Sequence, residues 1–323
     1  SSAASDVYKR QEILSNNTSA LQLLGAKPEK ERRSVLALNR SEDFQNAVER
    51  VLKGQHVVSN MELAGTSCQV TANPVYNEKQ VTGAVLLIQD VTERMRGEQM
   101  RREFTANVSH ELKTPLTSIS GFAEIIQDGY VKPEDTKKFA GRIFKEAQRL
   151  ITLVNDVIKI SQLDEGKMVF AKETVDLYEE TREIFKRLEQ KAEEAGVHLY
   201  LYGQHRKVTT VKTILEEILF NLCDNGVKYN KQGGSLTVTI QGEEKRPQIL
   251  VEDTGIGIAP EDKNRIFERF YRVDKSHSKA IGGTGLGLSI VKHGSMFLGA
   301  EVKLESTVGE GSRFILTLPE ETE

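Results

Sequence analysis

The sequence predicts a multidomain α+β protein, and three features predict it: alternating strands within residues 57–89, two long amphipathic helical stretches across 92–166, and mixed strands and helices in 167–323. At 323 residues the chain exceeds what one ordinary hydrophobic core organises, so a division into domains is expected. With 38% hydrophobic and 28% charged residues it has the composition of a folded globular protein rather than a disordered or fibrous one. A net charge of -3 and no local basic patch exclude nucleic acid as an expected partner. Cys68 and Cys223 stand far apart without C-x-x-C spacing, so neither a disulfide framework nor a zinc site is suggested.

Residues 1–91 read as a small α+β unit. Its strands are expected at 57–63, 66–72 and 81–89, with turns at Gly65 and at Asn73-Pro74 followed by Asn77-Glu78. From Val91 the texture becomes charged and helical, with Met100, Phe104, Val108 and Leu112 at four-residue spacing. Gly97 interrupts this helix at about 1 kcal/mol relative to alanine, either as a soft joint or as a tolerated surface glycine. A second helix is expected over 133–165, with Phe139, Ile143, Leu150, Val154 and Val157 as its apolar stripe. Gly166 is placed to stop it, and Asp128-Gly129 supplies the turn between the helices. Two antiparallel helices cannot enclose these stripes alone, so residues 92–166 are expected to pair with a second copy as a four-helix bundle, which makes a homodimer.

Residues 167–323 are expected to form one compact domain, with helices at 177–195 and 213–229 and strands at 235–241, 248–253, 300–306 and 311–318. No stretch reaches the ~20 apolar residues of a spanning helix, and the first residues lack a signal peptide's apolar core. A fragment of a membrane protein would read the same way.

The strongest local signal is the octapeptide running from Ser109 to Leu116, SHELKTPL, inside the first long helix. Glu111, next to His110, can accept the proton of one ring nitrogen and leave the other as a nucleophile toward phosphorus. Thr114 lies four residues on, hence on the same helix face, where its hydroxyl could orient a water; Pro115 is expected to bend the helix just beyond. Asn221, Asn225 and Lys228 project from one face of a later helix, where amide oxygens suit Mg²⁺ and an ammonium suits phosphate. Asp253, at a strand end, heads a box containing Gly255 and Gly257, and its carboxylate can accept an adenine amine. Gly283, Thr284, Gly285, Leu286 and Gly287 open another helix, whose free N–H groups can hold phosphate. Between the boxes, Arg272 and Lys275 stand in a polar segment suited to a lid over a triphosphate. Neither box is a Walker A motif or a dinucleotide fingerprint.

At these residues, over about 101–318, the chain closely resembles the sensor histidine kinases of bacterial two-component systems. The resemblance implies a histidine-bearing dimerisation hairpin and an α/β-sandwich ATP-binding domain of the Bergerat type. By that likeness His110 is the phosphoacceptor, Glu111 its general base and Thr114 the water-orienting residue for dephosphorylating a partner. Asn221 and Asn225 would hold Mg²⁺, Lys228 the phosphates, Tyr229 would line the nucleotide, and Asp253 would read adenine. Gly226 departs from the family's usual alanine and Ala300 from its usual glycine. Residues 1–91 resemble a PAS-like sensor domain, whose pocket takes a small molecule or whose role is only to dimerise.

The implied activity is ATP-dependent phosphorylation of His110, then transfer to an aspartate on the receiver domain of a response regulator, with a phosphatase activity toward that partner. Ile119 and Phe122 are candidate docking positions for it. The implied setting is the cytoplasmic portion of a sensor anchored in the inner or plasma membrane by an upstream segment. A competing reading is a Bergerat-fold ATPase used as a conformational clamp, but Asn221 stands where those relatives carry a water-activating glutamate. A third is a non-catalytic scaffold, against which the intact nucleotide boxes weigh.

Overall fold

The computed structural model describes residues 15–25, 35, 39–165, 170–243, 246–273 and 283–320. Lys275 and Gly166 lie outside the described residues. The chain separates into two compact units, Ser1–Thr105 and Ala106–Glu323.

In the first unit, α1 (Thr18–Leu23) starts at Asn17, whose side chain accepts the Ala20 N–H. α2 (Glu42–Leu52) lays Phe44, Val48 and Val51 against Leu63, Cys68, Val70 and Ala72 of an antiparallel sheet. That sheet has the order β1 (Val57–Leu63), β2 (Thr66–Asn77), β3 (Gln80–Asp90). β2 overruns the turn expected at Asn73-Pro74: Pro74 is a strand residue opposite Ala84. β1 begins at Val57, opposite Ala72, so Pro74 lies on a stretch of β2 beyond the β1 pairing, where a missing N–H is tolerated. The chain reverses at the second expected signal, Asn77-Glu78, through Glu78 and Lys79, both at positive φ (44° and 77°).

The hairpin consists of α3 (Thr92–Gln127) and α4 (Thr136–Glu165). α3 is helical straight through Gly97 and Pro115, so the glycine is absorbed into a continuous helix. Gly129, at φ 74°, turns the chain, and the Gly129 and Tyr130 N–H groups satisfy carbonyls of the last α3 turn at Ile126 and Ile125. α4 carries two apolar faces where the spacing suggested one stripe. Leu153 and Ile160 are its most buried residues, at 3% and 0% exposure, and Leu163 packs on the core of the C-terminal domain. Val154, expected in the stripe, is exposed together with Phe144, Ile151 and Ile158.

The C-terminal domain is built on a five-stranded sheet of order β5-β7-β8-β10-β9. β5 (His198–Gly203) runs parallel to β7 (Ser235–Glu243), and β8 (Arg246–Asp253), β10 (Gly311–Thr317) and β9 (Glu301–Thr307) complete it antiparallel. A small ribbon of β4 (Glu173–Asp176) and β6 (Lys207–Thr210) stands beside it. Three helices pack on the sheet: α5 (Leu177–Ala195), α6 (Lys212–Lys228) and α7 (Gly287–Leu298). α5 is capped by Asp176, whose carboxylate accepts the Tyr178 and Glu179 N–H groups, and it ends at Gly196 with φ 65°. Leu215, Ile218, Leu219 and Leu222 of α6 are fully buried against Leu236, Val238, Ile249 and Val251, which fixes α6 over the middle of the sheet. Its polar residues then fall at the domain's edge.

Candidate active site

α6 presents Asn221 and Lys228 toward the glycine loop that precedes α7, and Asn225 between them is half-buried as they are. Asn221 donates its amide N–H to the Glu217 carbonyl at 2.8 Å, which turns its oxygen toward the loop: a β-carbon at Gly287 would lie 2.7 Å from it. The Lys228 ammonium would meet a β-carbon at Gly283 at the same 2.7 Å, with the Tyr229 hydroxyl at 3.6 Å. Glycines at 283 and 287 thus let the loop backbone approach both side chains closely. Burial pulls the Lys228 ammonium down to about 8; Asp224 opposes this, while Lys191, Arg272 and Arg149 add to it. A buried cation among cations is prepared for an anion.

At the end of β8, the Asp253 carboxylate accepts the Gly255 N–H at 2.8 Å. Burial pushes its pKa above the ordinary carboxylate range, against the N–H groups of Gly255 and Ser312. Any side chain at Gly255 would strike the Tyr229 carbonyl, and one at Gly257 (φ 69°) the Thr307 carbonyl. The Ile256 N–H donates to the Tyr229 carbonyl and the Gly309 N–H to the Ile256 carbonyl, so this box ties the end of α6 to the β9–β10 turn. Gly226 is explained by the same crowding: an alanine methyl would stand 2.5 Å from Leu236 Cδ1. Ala300, in turn, packs against the domain core.

In the second glycine box, Gly285 has φ 73° and its carbonyl accepts the Phe270 N–H at 2.9 Å. This fastens the segment carrying Arg272 to the loop. Leu286 is buried and donates its N–H to the Thr284 hydroxyl at 3.3 Å as α7 begins. Thr284 in turn donates its own hydroxyl to Asp156 of α4 at 2.8 Å.

On the hairpin, His110 is exposed on α3 and Glu111 is half-buried beside Arg149 of α4, whose guanidinium stands 3.6 Å from the Glu111 carboxylate. Thr114 donates its hydroxyl to the His110 carbonyl at 3.2 Å, a local helix bond that leaves its oxygen as an acceptor. Phe122 is engaged within the hairpin, edge-to-face with Phe139 at 5.8 Å. The described site residues of the C-terminal domain gather along one edge, while His110, Glu111 and Thr114 lie on the hairpin.

Four polar links between hairpin and domain escaped the sequence reading. They are Asp156 with Thr284, Lys159 with Glu217 at 2.6 Å, and Asp164 with both Arg269 and His293 at 2.7 and 3.1 Å. The available signal was the run Arg149, Leu153, Asp156, Ile160, Leu163 at alternating spacings of four and three, a second face of one helix.

Residues 100–166 match the His Kinase A (phospho-acceptor) domain, and residues 210–322 match the histidine kinase-, DNA gyrase B- and HSP90-like ATPase family. The chain belongs to the sensor histidine kinases. It is 33% identical over 240 residues to the sensor protein SrrB of Staphylococcus aureus strain MRSA252, covering 74% of this chain and 41% of that protein. It therefore spans well under half the length of the curated relatives it matches. Among solved structures, the histidine kinase ThkA in complex with the response regulator protein TrrA superimposes with a TM-score of 0.55 at 25% identity, over 97% of this chain and 94% of that one. Full-length ShkA in complex with AMPPNP gives 0.53 at 28% identity, over 68% of this chain and 46% of that one.

Proposed function

We propose that this chain is the kinase portion of a two-component sensor, phosphorylating itself on His110 from ATP and passing the phosphoryl group to an aspartate of a response regulator's receiver domain. The observation that carries the reading is the exposed His110–Glu111 pair on a hairpin whose other helix makes direct polar contact with the glycine loop beside Lys228. A ring nitrogen of His110 forms the bond to Pγ as the bond from Pγ to the β-phosphate oxygen breaks, its electrons leaving on ADP. The proton on the other ring nitrogen passes to Glu111. The domain's contribution is positioning and charge neutralisation, since phosphoryl transfer asks little covalent chemistry of a protein.

Asp253 suits the exocyclic amine of adenine, Tyr229 the nucleotide's flank, Lys228 and Arg272 the phosphates, and the loop from Gly283 to Gly287 their oxygens. Asn221 and Asn225 fit Mg²⁺, because the Asn221 amide N–H is already spent on Glu217 and its oxygen is left turned to the loop. When bound, Mg²⁺ would neutralise phosphate charge. Thr114 keeps an acceptor oxygen one turn from His110, which supports a phosphatase role toward the response regulator.

A homodimer is supported by Phe144, Ile151 and Ile158, exposed at seven-residue intervals with Val154 between the last two, a heptad seam that no described residue buries. The three-stranded sheet with its helix supports a PAS-like assignment for residues 1–91. None of the described helices is long and apolar enough to cross a membrane. Our reading sets this portion on the cytoplasmic side of a membrane-anchored parent, as the resemblance to sensor histidine kinases implies.

Incubating the full chain with γ-labelled ATP tests the reading. Acid-labile, base-stable label that disappears in His110→Ala is the expected result. Free phosphate from a chain that never becomes labelled would overturn it in favour of an ATP-driven clamp.

A further inference from the structure

Glu111 is engaged before it ever meets the imidazole: its carboxylate stands 3.6 Å from the Arg149 guanidinium, both side chains being largely shielded. Arg149 shares its helical face with Leu153, Asp156 and Ile160. Leu153 and Ile160 are buried, and Asp156 reaches Thr284 in the glycine loop, so this face of α4 fronts the nucleotide boxes. The positive charge of Arg149 is also felt at Lys228, which it helps to discharge. Arg149 therefore stands between two anionic destinations, the Glu111 carboxylate and the phosphates that Lys228 would hold.

We propose that Arg149 is a positioning residue that couples triphosphate occupancy to the release of Glu111, an inference that rests on the roles given above to His110, Glu111 and Lys228. Without a terminal phosphate the guanidinium stays on Glu111. A γ-phosphoryl group beside Lys228 offers more charge and a bidentate partner, so it draws the guanidinium away from a single carboxylate contact. The freed Glu111 then takes the proton from one ring nitrogen of His110 while the other nitrogen bonds to phosphorus and ADP departs with the electrons of the broken P–O bond. ADP, one phosphoryl group shorter, leaves Arg149 on Glu111.

The test uses the full chain with Arg149→Ala, Arg149→Lys, Glu111→Gln and the Arg149→Ala/Glu111→Gln double variant. The measurements are the affinities for ADP and AMPPNP and the maximal rate of autophosphorylation. Arg149→Ala is expected to keep ADP affinity within about twofold and to lower the AMPPNP-to-ADP affinity ratio at least about fivefold, Glu111 then being free with either nucleotide. Arg149→Lys should regain part of the ratio, since it keeps the charge and loses the fork. Glu111→Gln, which weakens the competing contact, should raise that ratio, and the double variant should show the ratio of Arg149→Ala alone, because residues acting through one another are not additive. An unchanged ratio in Arg149→Ala, or a Glu111→Gln effect on the ratio that persists undiminished in the double variant, overturns the proposal while a slow Glu111→Gln leaves the base assignment standing. A Glu111→Gln chain that labels at the wild-type rate overturns both.

Discussion

The hydroxyl of Thr284, in the glycine loop that opens α7, donates a hydrogen bond to Asp156 on the second hairpin helix at 2.8 Å. The carboxylate is mostly buried, and that burial pushes its pKa above the usual range, with the Thr284 bond and Lys159 opposing and Glu217 adding to it. A nucleotide's phosphates in this loop would face a negative group already in place. Asp156→Asn keeps an oxygen for Thr284 and removes the charge, so nucleotide affinity should rise by about threefold to tenfold, as expected for one unit charge removed at short range in a partly screened site. Titration calorimetry with AMPPNP checks it, and an unchanged affinity would place the phosphates elsewhere. The raised pKa sets the sign with pH: burying Asp156 costs least in acid, and the cost grows as pH climbs through its raised value, with the Thr284 bond offsetting part of it.

Gly226 lies where α6 passes closest to β7. Alanine there would gain about 1 kcal/mol of helix propensity but force its methyl onto Leu236, an overpacking penalty of roughly 1–3 kcal/mol. Gly226→Ala should therefore lower the melting temperature of the C-terminal domain despite the better helix former. Adding Leu236→Val, which shortens the opposing side chain, should recover part of the loss. A stabilised single variant would show that the helix shifts freely.

Lys228 ties affinity to pH. Its pKa is pulled down to about 8 in the folded chain, from the ordinary 10.5 of a lysine, because burial disfavours the charge. Phosphates restore the charged form, so binding above pH 8 must take up a proton, and affinity should fall by up to about tenfold per pH unit there. Calorimetry in buffers of different ionisation enthalpy should detect that uptake, and Lys228→Met should abolish it. For folding the sign is opposite: the unfolded chain holds this proton more tightly, so the destabilisation from Lys228 is full below pH 8 and is relieved between there and 10.5.

The parts of the fold legible in the sequence were those whose pattern is local. Strands β1, β7 and β8 and helix α5 follow directly from alternation and from an apolar face ended by Gly196. β5 was missed although HLYLYG alternates cleanly, because a short edge strand beside a long helix carries little signal of its own. Pro74 misled because a proline reads as a break until one knows that it lies beyond the β1 pairing. At the site, the glycines and Asn221 declared themselves through spacing. Arg149, Asp156 and Asp164 did not, since charged residues on a long helix are by default solvated; Asp156 and Asp164 meet partners where the C-terminal domain docks, and Arg149 meets Glu111 across the hairpin.

Asp164 closes the lower end of that docked face. Both of its oxygens lie within 2.8 Å of an Arg269 amine, and one lies 3.1 Å from His293 Nδ1 on α7. Arg269 also approaches the other nitrogen of the same imidazole at 3.2 Å. Burial and the nearby guanidinium hold the His293 pKa below its ordinary value, with Asp164 working the other way. Removing the carboxylate takes away the acceptor that the Arg269 guanidinium and the His293 imidazole share. All three side chains keep a quarter to a third of their surface in water, so the loss is set by a screened network at about 1 kcal/mol rather than by a buried ion pair. Asp164→Ala should therefore speed hydrogen exchange in α4 and the first turns of α7 severalfold while leaving the strands of the sheet protected. Equal acceleration in β7 and β8 would mean that Asp164 supports the whole domain rather than its contact with the hairpin.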